Sequence, residues 1–313
     1  MGNRLATELV ELSHDPQCLD DGGFWAVSTT FENEFTAAKF ATVVNAPFPT
    51  TPWAPMTGSW SSSLNADQYV AYVERIRSSV AEGWVYQVNA CRRLTHSDDG
   101  QSLRGLFSEI LKNNPAPWAS YFEIPGVMIA SASPELFLSR NGSMVKSSPI
   151  KGTQPTNSPN FGVKDQAENV MIVDLMRNDL GQICKSGTVE VPRLLSSEEH
   201  PGLQHLVSDV QGELLDSISW SEILTALSPP GSVSGAPKSS ATQVISANEI
   251  PRGPYCGALG WVEGNTAVLS VAIRAFWKDA NINFGTGAGI TWGSDARSEW
   301  EETQLKAKRL IAI

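Results

Sequence analysis

The chain is 313 residues long, 41% hydrophobic and 18% charged, a globular composition with enough apolar residues for a large core. Its formal net charge of −10 excludes nucleic acid and an anionic membrane surface as partners, because both demand a basic footprint. No apolar run reaches the roughly eighteen residues of a membrane span, and residues 1–14 lack the apolar core of a signal peptide, so a cytoplasmic location is expected.

The first sixty residues show one strand-like segment, 24–31, and a proline-rich connector, 47–55. Tyr69, Val70, Val73, Ile76 and Val80 then fall at helical spacing, which predicts a helix over 67–81 with Ser63 or Asn65 as cap, Gly83 as stop and a strand over 84–93. Paired strands are predicted over 127–150 around Asn141-Gly142, a dipeptide that suits a two-residue hairpin turn. A second hairpin series is predicted over 256–284, turning near Gly264-Asn265 and Asp279-Ala280, with helices over 164–180, near 221–227, near 236–248 and from 295 to the C-terminus. Tight turns between strands imply antiparallel pairing, so the expected class is α+β: antiparallel sheets packed as a sandwich-like core with helices outside. No internal repeat divides the chain, which reads as one domain, with residues 1–60 contributing strands. Cys18, Cys91, Cys184 and Cys256 are scattered without a C-x-x-C pair, which suggests buried thiols and neither a zinc site nor a disulfide framework.

Two helices carry acids in a pattern that invites a cation. Asp165 and Glu168 are three apart and share a face, and Glu299, Glu302 and Lys306 repeat the arrangement near the C-terminus. Oxygen donors without His or Cys suit Mg²⁺, although each helix alone is equally an ordinary solvated face with a Glu302–Lys306 ion pair. The segment Gly285-Thr286-Gly287-Ala288-Gly289 fails the dinucleotide pattern because position 290 is Ile. It reads as a turn that is either purely conformational or a nest of backbone N–H groups for an anion. Residues 231–239 imitate a phosphate-binding loop but place Ala236 and Pro237 where that loop needs its second glycine, which rules out ATP there.

Longer motifs fix the affiliation. They are Ser133-Pro134-Glu135-Leu136, Pro149-Ile150-Lys151-Gly152-Thr153, Ala167-Glu168-Asn169, the run M-I-V-D-L-M-R-N-D-L at 171–180, His205-Leu206-Val207-Ser208, Ser234-Gly235-Ala236-Pro237-Lys238, Arg252-Gly253-Pro254-Tyr255, Ala272-Ile273-Arg274, the glycine segment and residues 299–306. Spread in that order from residue 87 to the C-terminus, they make the chain resemble the chorismate-utilising enzymes, a family that includes the anthranilate, isochorismate, salicylate and aminodeoxychorismate synthases. The resemblance implies Mg²⁺ held by Glu168 and Glu302, with Asp165 and Glu299 supporting through water. It implies Arg274, Lys306 and the amides of Gly287, Ala288 and Gly289 on the substrate carboxylates, with Thr153, His205 and Tyr255 lining the site. Mg²⁺, Arg and Lys at the site would then offset locally the repulsion between a dianionic substrate and a net negative protein.

Glu135 matches the family's general acid or base, where an isolated residue would read as a strand-surface glutamate. Two positions choose the branch. Family members that add water carry a lysine base where this chain has Gln87, which cannot act as a base at neutral pH. Anthranilate synthases carry alanine where this chain has Lys151, whose amine could attack the ring and then be displaced by ammonia; without the motif, Lys151 would read as a surface or salt-bridging lysine. The resemblance therefore points to amination of chorismate at C4, with ammonia from a separate glutamine amidotransferase subunit, since no cysteine here sits in a G-x-C-x-G setting. Amination at C2 with loss of pyruvate, and a non-catalytic chorismate-binding protein, are the alternatives. The region before residue 60 and the segment 152–167 are shorter than in longer family members.

Overall fold

The computed structural model describes residues 1–98, 100–156, 158, 161–200 and 203–313. The chain opens with β1 (Arg4–Ser13), a 3₁₀ turn (Pro16–Asp21), β2 (Phe24–Thr29) and β3 (Phe35–Asn45), then passes through an irregular connector to β4 (Ser61–Ser62), α1 (Ala66–Ala81), β5 (Gln87–Ser97) and α2 (Leu103–Asn113). Strands β6 (Ser120–Ile124), β7 (Val127–Ser131), β8 (Leu136–Asn141), β9 (Met144–Ser148) and β10 (Ile150–Pro155) lead into α3 (Val163–Gly181) and the long hairpin of β11 (Glu190–His200) and β12 (Leu203–Glu213). The rest runs through α4 (Trp220–Leu227), α5 (Gly231–Ser234), β13 (Gly235–Ala236), α6 (Lys238–Asn248), β14 (Ala258–Glu263), β15 (Thr266–Val271), β16 (Ala275–Lys278), β17 (Asn281–Ile290) and α7 (Ala296–Lys308).

These strands form two antiparallel sheets, and the α+β class expected from the turns is what the chain adopts. Among the described residues one sheet has ten strands in the order β1-β3-β2-β14-β15-β8-β9-β12-β10, with β11 also on β12; the other has seven, β13-β5-β17-β16-β7-β6, with β4 on β5. The main core draws Trp25 and Val27 from β2, Leu138 from β8 and Leu259 from β14 together with Val88 of β5 and Ile129 of β7, so it joins both sheets. Each large apolar side chain withdrawn there, such as Trp25 at 1% exposure, contributes roughly 2–3 kcal/mol. A second core under α2 holds Leu106, Phe107 and Ile110 against Phe276 and Phe284.

Helix α1 forms because its apolar stripe buries Tyr69, Tyr72, Val73 and Ile76 and because Asn65 and Gln68 bond each other's backbone N–H groups, which settles the cap on Asn65. The connector and all three predicted hairpin turns are where the sequence places them. Residues 1–60 hold three strands longer than two residues where one was expected, and the strand expected from 84 begins at Gln87, since Trp84 and Tyr86 are 60% and 66% exposed. Helix α6 begins at Lys238 because Ala236 is committed to β13, where Tyr86 N donates to its carbonyl at 2.7 Å. The tip of the β2–β3 hairpin reaches across to the segment before β14: Phe31 N donates to Gly253 O at 2.9 Å, and Glu32 accepts from Arg252 N at 2.7 Å and Gly253 N at 3.0 Å.

Candidate functional site

The two acidic helices meet. The buried apolar face of α3, with Ile172, Val173, Met176 and Leu180, fixes that helix on the ten-stranded sheet, and Asn169, fully buried, donates to Leu206 O at 3.1 Å and accepts from Ser208 Oγ at 2.5 Å. This pins the turn that carries Asp165 and Glu168. Across the gap, α7 presents Glu299 and Glu302. Lys164 stands between the helices, 3.0 Å from Glu299 and 3.9 Å from Glu168, while Lys306 pairs with Glu302 at 2.6 Å. Burial raises the proton affinity of Glu168, as do Glu299 and Asp165, against the lowering pull of Lys151 and Lys164. Burial also pushes Glu302 upward, but Lys306, Lys164 and Lys151 outweigh it and leave its pKa lowered.

Lys151 lies where this acidic gap meets the sheets. The β10–β12 ladder slips between Lys151 and Thr153, where Gly152 has φ +78°, and such a bulge re-aims a side chain. A Cβ at position 152 would press on Asp165 and Phe161 at 3.0 Å each, so glycine is required there for space as well as for backbone conformation. The Lys151 amine donates to Ser232 O at 2.7 Å and, among the described residues, pairs with no carboxylate. Burial lowers its pKa below the usual lysine value, and Lys306 adds to this against the opposing fields of Glu135, Glu168 and Glu302. Glu135, 4% exposed, is held by its backbone: its N–H donates to Ser133 Oγ at 3.2 Å and its carbonyl accepts from Val271 N at 3.1 Å. Burial pushes its carboxyl up to about 7, with the neighbouring Ser232 and the charge of Lys151 pulling the other way.

The glycine segment is not a turn. Residues 285–289 lie inside β17, paired with β5 from Gly285↔Arg93 to Gly289↔Asn89. Alternate spacing puts all three glycines on one face, and that face is crowded. A Cβ on Gly285 would enter the Tyr255 ring, one on Gly287 would lie 2.5 Å from Cys91 Sγ, and one on Gly289 would meet the Gln87 amide. Pairing with β16 ends at Phe284, so residues 285–290 have, among the described residues, a strand partner on the β5 side only. Lys306 donates to Gly287 O at 3.1 Å. Arg274, at φ +51° just before β16, pairs with no carboxylate among the described residues, and burial and Arg309 lower its pKa. Tyr255 packs on Gly285 in a cavity of about 290 Å³ that also takes in Cys91, Glu249 and Arg252. His205 is buried on β12 opposite Thr153, whose side chain lies outside the described residues.

Gln87 is fully buried, and neither side-chain amide atom finds a hydrogen-bond partner among the described residues. A polar group left this way is costly unless something bound satisfies it. Asn89, two residues on, donates to Ser232 O at 3.2 Å. Sequence reading assigns Ser232 and Asn89 no role; a main-chain acceptor leaves no signature, and the Ser234–Lys238 motif and the failed phosphate-loop pattern at 231–239 point only to the region. Lys238 itself is structural, paired with Asp179 at 2.7 Å and donating to Leu227 O at 3.1 Å. Cys91, Cys184 and Cys256 are buried free thiols. A cavity of about 770 Å³ lies elsewhere, among β1, α2, β6 and β14, and includes none of the residues discussed above as site candidates.

Among the described residues no three His, Cys, Asp or Glu side chains gather around one point. What the α3–α7 gap offers is carboxylate oxygen from two helices, and Mg²⁺ commonly takes only one or two protein carboxylates and completes its shell with water and substrate oxygens. The donor chemistry therefore fits that ion.

The family profile described as chorismate binding enzyme matches residues 17–312. The chain is 35% identical over 266 residues to anthranilate synthase component 1 of Saccharolobus solfataricus, covering 80% of this chain and 63% of that protein. It is 33% identical over 264 residues to aminodeoxychorismate synthase component 1 of Bacillus subtilis, covering 80% and 56%. The chain thus spans less than two thirds of the length of these relatives. Among solved structures it resembles anthranilate synthase component I of Streptococcus pneumoniae, with TM-score 0.78, 23% identity and coverage of 98% and 80%. A 2,3-dihydroxybenzoate-specific isochorismate synthase from Bacillus anthracis superposes with TM-score 0.83 at 20% identity, covering 99% and 93%, a likeness of fold.

Proposed function

The chain belongs to the chorismate binding enzyme family, and on that footing we propose that it aminates chorismate at C4 to give 4-amino-4-deoxychorismate. Ammonia would come from a glutamine amidotransferase subunit, and the product would feed para-aminobenzoate and folate synthesis. The observation that carries this reading is the Lys151 amine: partly buried, anchored on the Ser232 carbonyl, free of carboxylate pairing among the described residues and facing Glu135. A lysine so placed is oriented without being locked as an ammonium ion.

In this mechanism Lys151 Nζ bonds to C2 of the ring, the diene electrons shift, and the C4–O bond breaks while Glu135 delivers the proton that lets the hydroxyl leave as water. Ammonia then bonds to C4 as the C2–N bond breaks, the electrons return, and Lys151 is restored. Arg274, Lys306 and the half-paired edge of β17 face the substrate carboxylates, with Thr153, His205 and Tyr255 along the walls. Glu168 and Glu302 would hold Mg²⁺, whose charge would neutralise a substrate carboxylate, and Asp165 and Glu299 would support it through water. The buried amide of Gln87, without a partner among the described residues, supports an occupant that hydrogen-bonds to it.

The test is product identification from chorismate, ammonium and Mg²⁺, with and without a lyase that converts aminodeoxychorismate to para-aminobenzoate. Lyase-dependent para-aminobenzoate is expected. Fluorescent anthranilate without the lyase would establish the C2 reaction, which the comparable identity to an anthranilate synthase keeps as the second reading. No turnover at saturating ammonium would leave a chorismate-binding protein.

A further inference from the structure

Two side chains from different sheets converge on one main-chain oxygen. The Ser232 carbonyl, in the single turn of α5, accepts from the Lys151 amine at 2.7 Å and from Asn89 Nδ2 at 3.2 Å. Lys151 stands on β10 of the ten-stranded sheet and Asn89 on β5 of the seven-stranded one, so this oxygen is where the two sheets meet at the site. The Asn89 amide has one orientation there, because a carbonyl only accepts and the group facing it must be the NH₂. Asn89 is itself fixed. It is 8% exposed, it pairs with Gly289 across the β5–β17 ladder, and its own carbonyl accepts from Arg252 Nη2 at 2.7 Å while Nη1 of the same guanidinium donates to Val233 O at 2.9 Å. Arg252 is locked in turn by a buried bidentate pair with Glu249, at 2.7 and 2.8 Å. Strand β5 and the α5 turn are therefore tied twice, once through Arg252 and once through the Asn89 side chain. On the α3 side a Cβ at Gly231 would meet Leu175 and Met176 at 2.6 Å, so the turn also rests directly on that helix.

We propose that Asn89 is a positioning residue for the Lys151 amine: by holding the Ser232 carbonyl it fixes the oxygen against which the nucleophile is aimed. A carbonyl oxygen offers two lone-pair directions. With Asn89 on one of them, the Lys151 N–H is confined to the other, and the lone pair of the neutral amine points one way. Without the Asn89 amide both directions open to the lysine and the turn loses its side-chain tie to β5, while Arg252 still holds Val233 O and Asn89 O. The fold survives and the aim does not. Such a loss falls on the bond-forming step, where misplacement of the attacking atom costs orders of magnitude, and it leaves the contacts to the substrate carboxylates in place.

The inference rests on Lys151 being the nucleophile of the proposed function, so Asn89 is tested alone and in a cycle with Lys151→Ala, using chorismate, ammonium and Mg²⁺, with thermal unfolding as the check on folding. Three variants remove the donor in different ways: Asn89→Ala deletes the amide, Asn89→Ser leaves a hydroxyl too short to reach the carbonyl, and Asn89→Asp keeps the shape while replacing the NH₂ by an acceptor. Each is expected to lower kcat on the order of tenfold to a hundredfold with KM changed less than about threefold, the split of an interaction made on the reaction path. In the Lys151→Ala background the same substitutions should cost less than about twofold more, because a residue that acts through the lysine has nothing left to aim. Losses that multiply across the cycle, or an Asn89→Asp variant as active as the parent, would reduce Asn89 to packing and overturn the inference while the proposed function stands. No C4 amination by the parent protein, or full activity in Lys151→Ala, would instead sink the proposed function and the inference with it.

Discussion

Two lysines anchored to one stretch of chain, residues 227–238, show how little residue type alone decides. Lys238 closes an ion pair with Asp179 at 2.7 Å and caps it with a bond to Leu227 O, so its charge is fully used in holding α6 to α3. Lys151 has a carbonyl at the same 2.7 Å but, among the described residues, no carboxylate at pairing distance, and burial depresses its pKa. A satisfied charge is a strut; an amine held by one neutral acceptor keeps its chemistry.

The comparison breaks most sharply under truncation. Lys151→Ala is expected to lower C4 amination on the order of a thousandfold while chorismate still binds, read by product chromatography and by equilibrium binding, with intact-protein mass spectrometry losing any ring adduct seen in the parent. Lys238→Met should do the reverse. It strands Asp179 in the interior and costs about 3 kcal/mol of stability, visible in chemical denaturation, while folded protein at low temperature keeps most of its turnover per site. Equal effects of the two on activity and stability would erase the distinction.

Smaller effects sharpen it. Glu168→Gln and Glu302→Gln should each raise the Mg²⁺ concentration needed for half-maximal activity by about tenfold or more, because Mg²⁺ favours anionic oxygen; half-maximal activity at an unchanged Mg²⁺ concentration would remove that residue from the ligand pair. Glu135 supplies a pH signature. Its native carboxyl holds a proton up to about 7, against 4.5 for the ordinary side chain, so between those values the folded state binds more protons than the unfolded one. Stability must then fall as pH rises through that window, and Glu135→Gln should flatten the slope in denaturation series taken from pH 4.5 to 7.5 or so. The smallest change expected is at Lys164, half-exposed between Glu299 and Glu168. Lys164→Met should shift unfolding little but tighten apparent Mg²⁺ binding by about two- to threefold, since a competing cation has been withdrawn; weaker Mg²⁺ binding would count against the gap as the metal's place.

The helices and hairpins around the site were legible because their signals are local. Asn65 with Gln68, the stripe in α1 and Asn141-Gly142 each state a geometry within a few residues. Strand β1 was hidden because Leu9, Val10 and Leu12 are all largely exposed, which breaks the alternation that marks a half-buried strand. Strand β11 was hidden by a polar run, Ser196 to Glu199, held in place by β12. The glycine segment misled for a physical reason. Glycine weakens strands unless something must come close, and Tyr255, Cys91 and Gln87 do come close on that face. The candidate acids and Lys151 came from motif resemblance, whereas Ser232 needed three dimensions, because it meets Lys151 through a carbonyl oxygen that every residue carries.

The hairpin tip at Phe31 and Glu32 now takes on a different meaning. Glu32 grips the backbone of Arg252 and Gly253, the Arg252 guanidinium lies 4.2 Å from the Phe31 ring centroid, and the same guanidinium holds Val233 O, one residue from the carbonyl that receives Lys151. The N-terminal strands are therefore an abutment for the turn that holds Lys151, and on the proposed function insertions or deletions between β2 and β3 would register first as a loss of aim at Lys151, with the protein still folded and still able to bind chorismate.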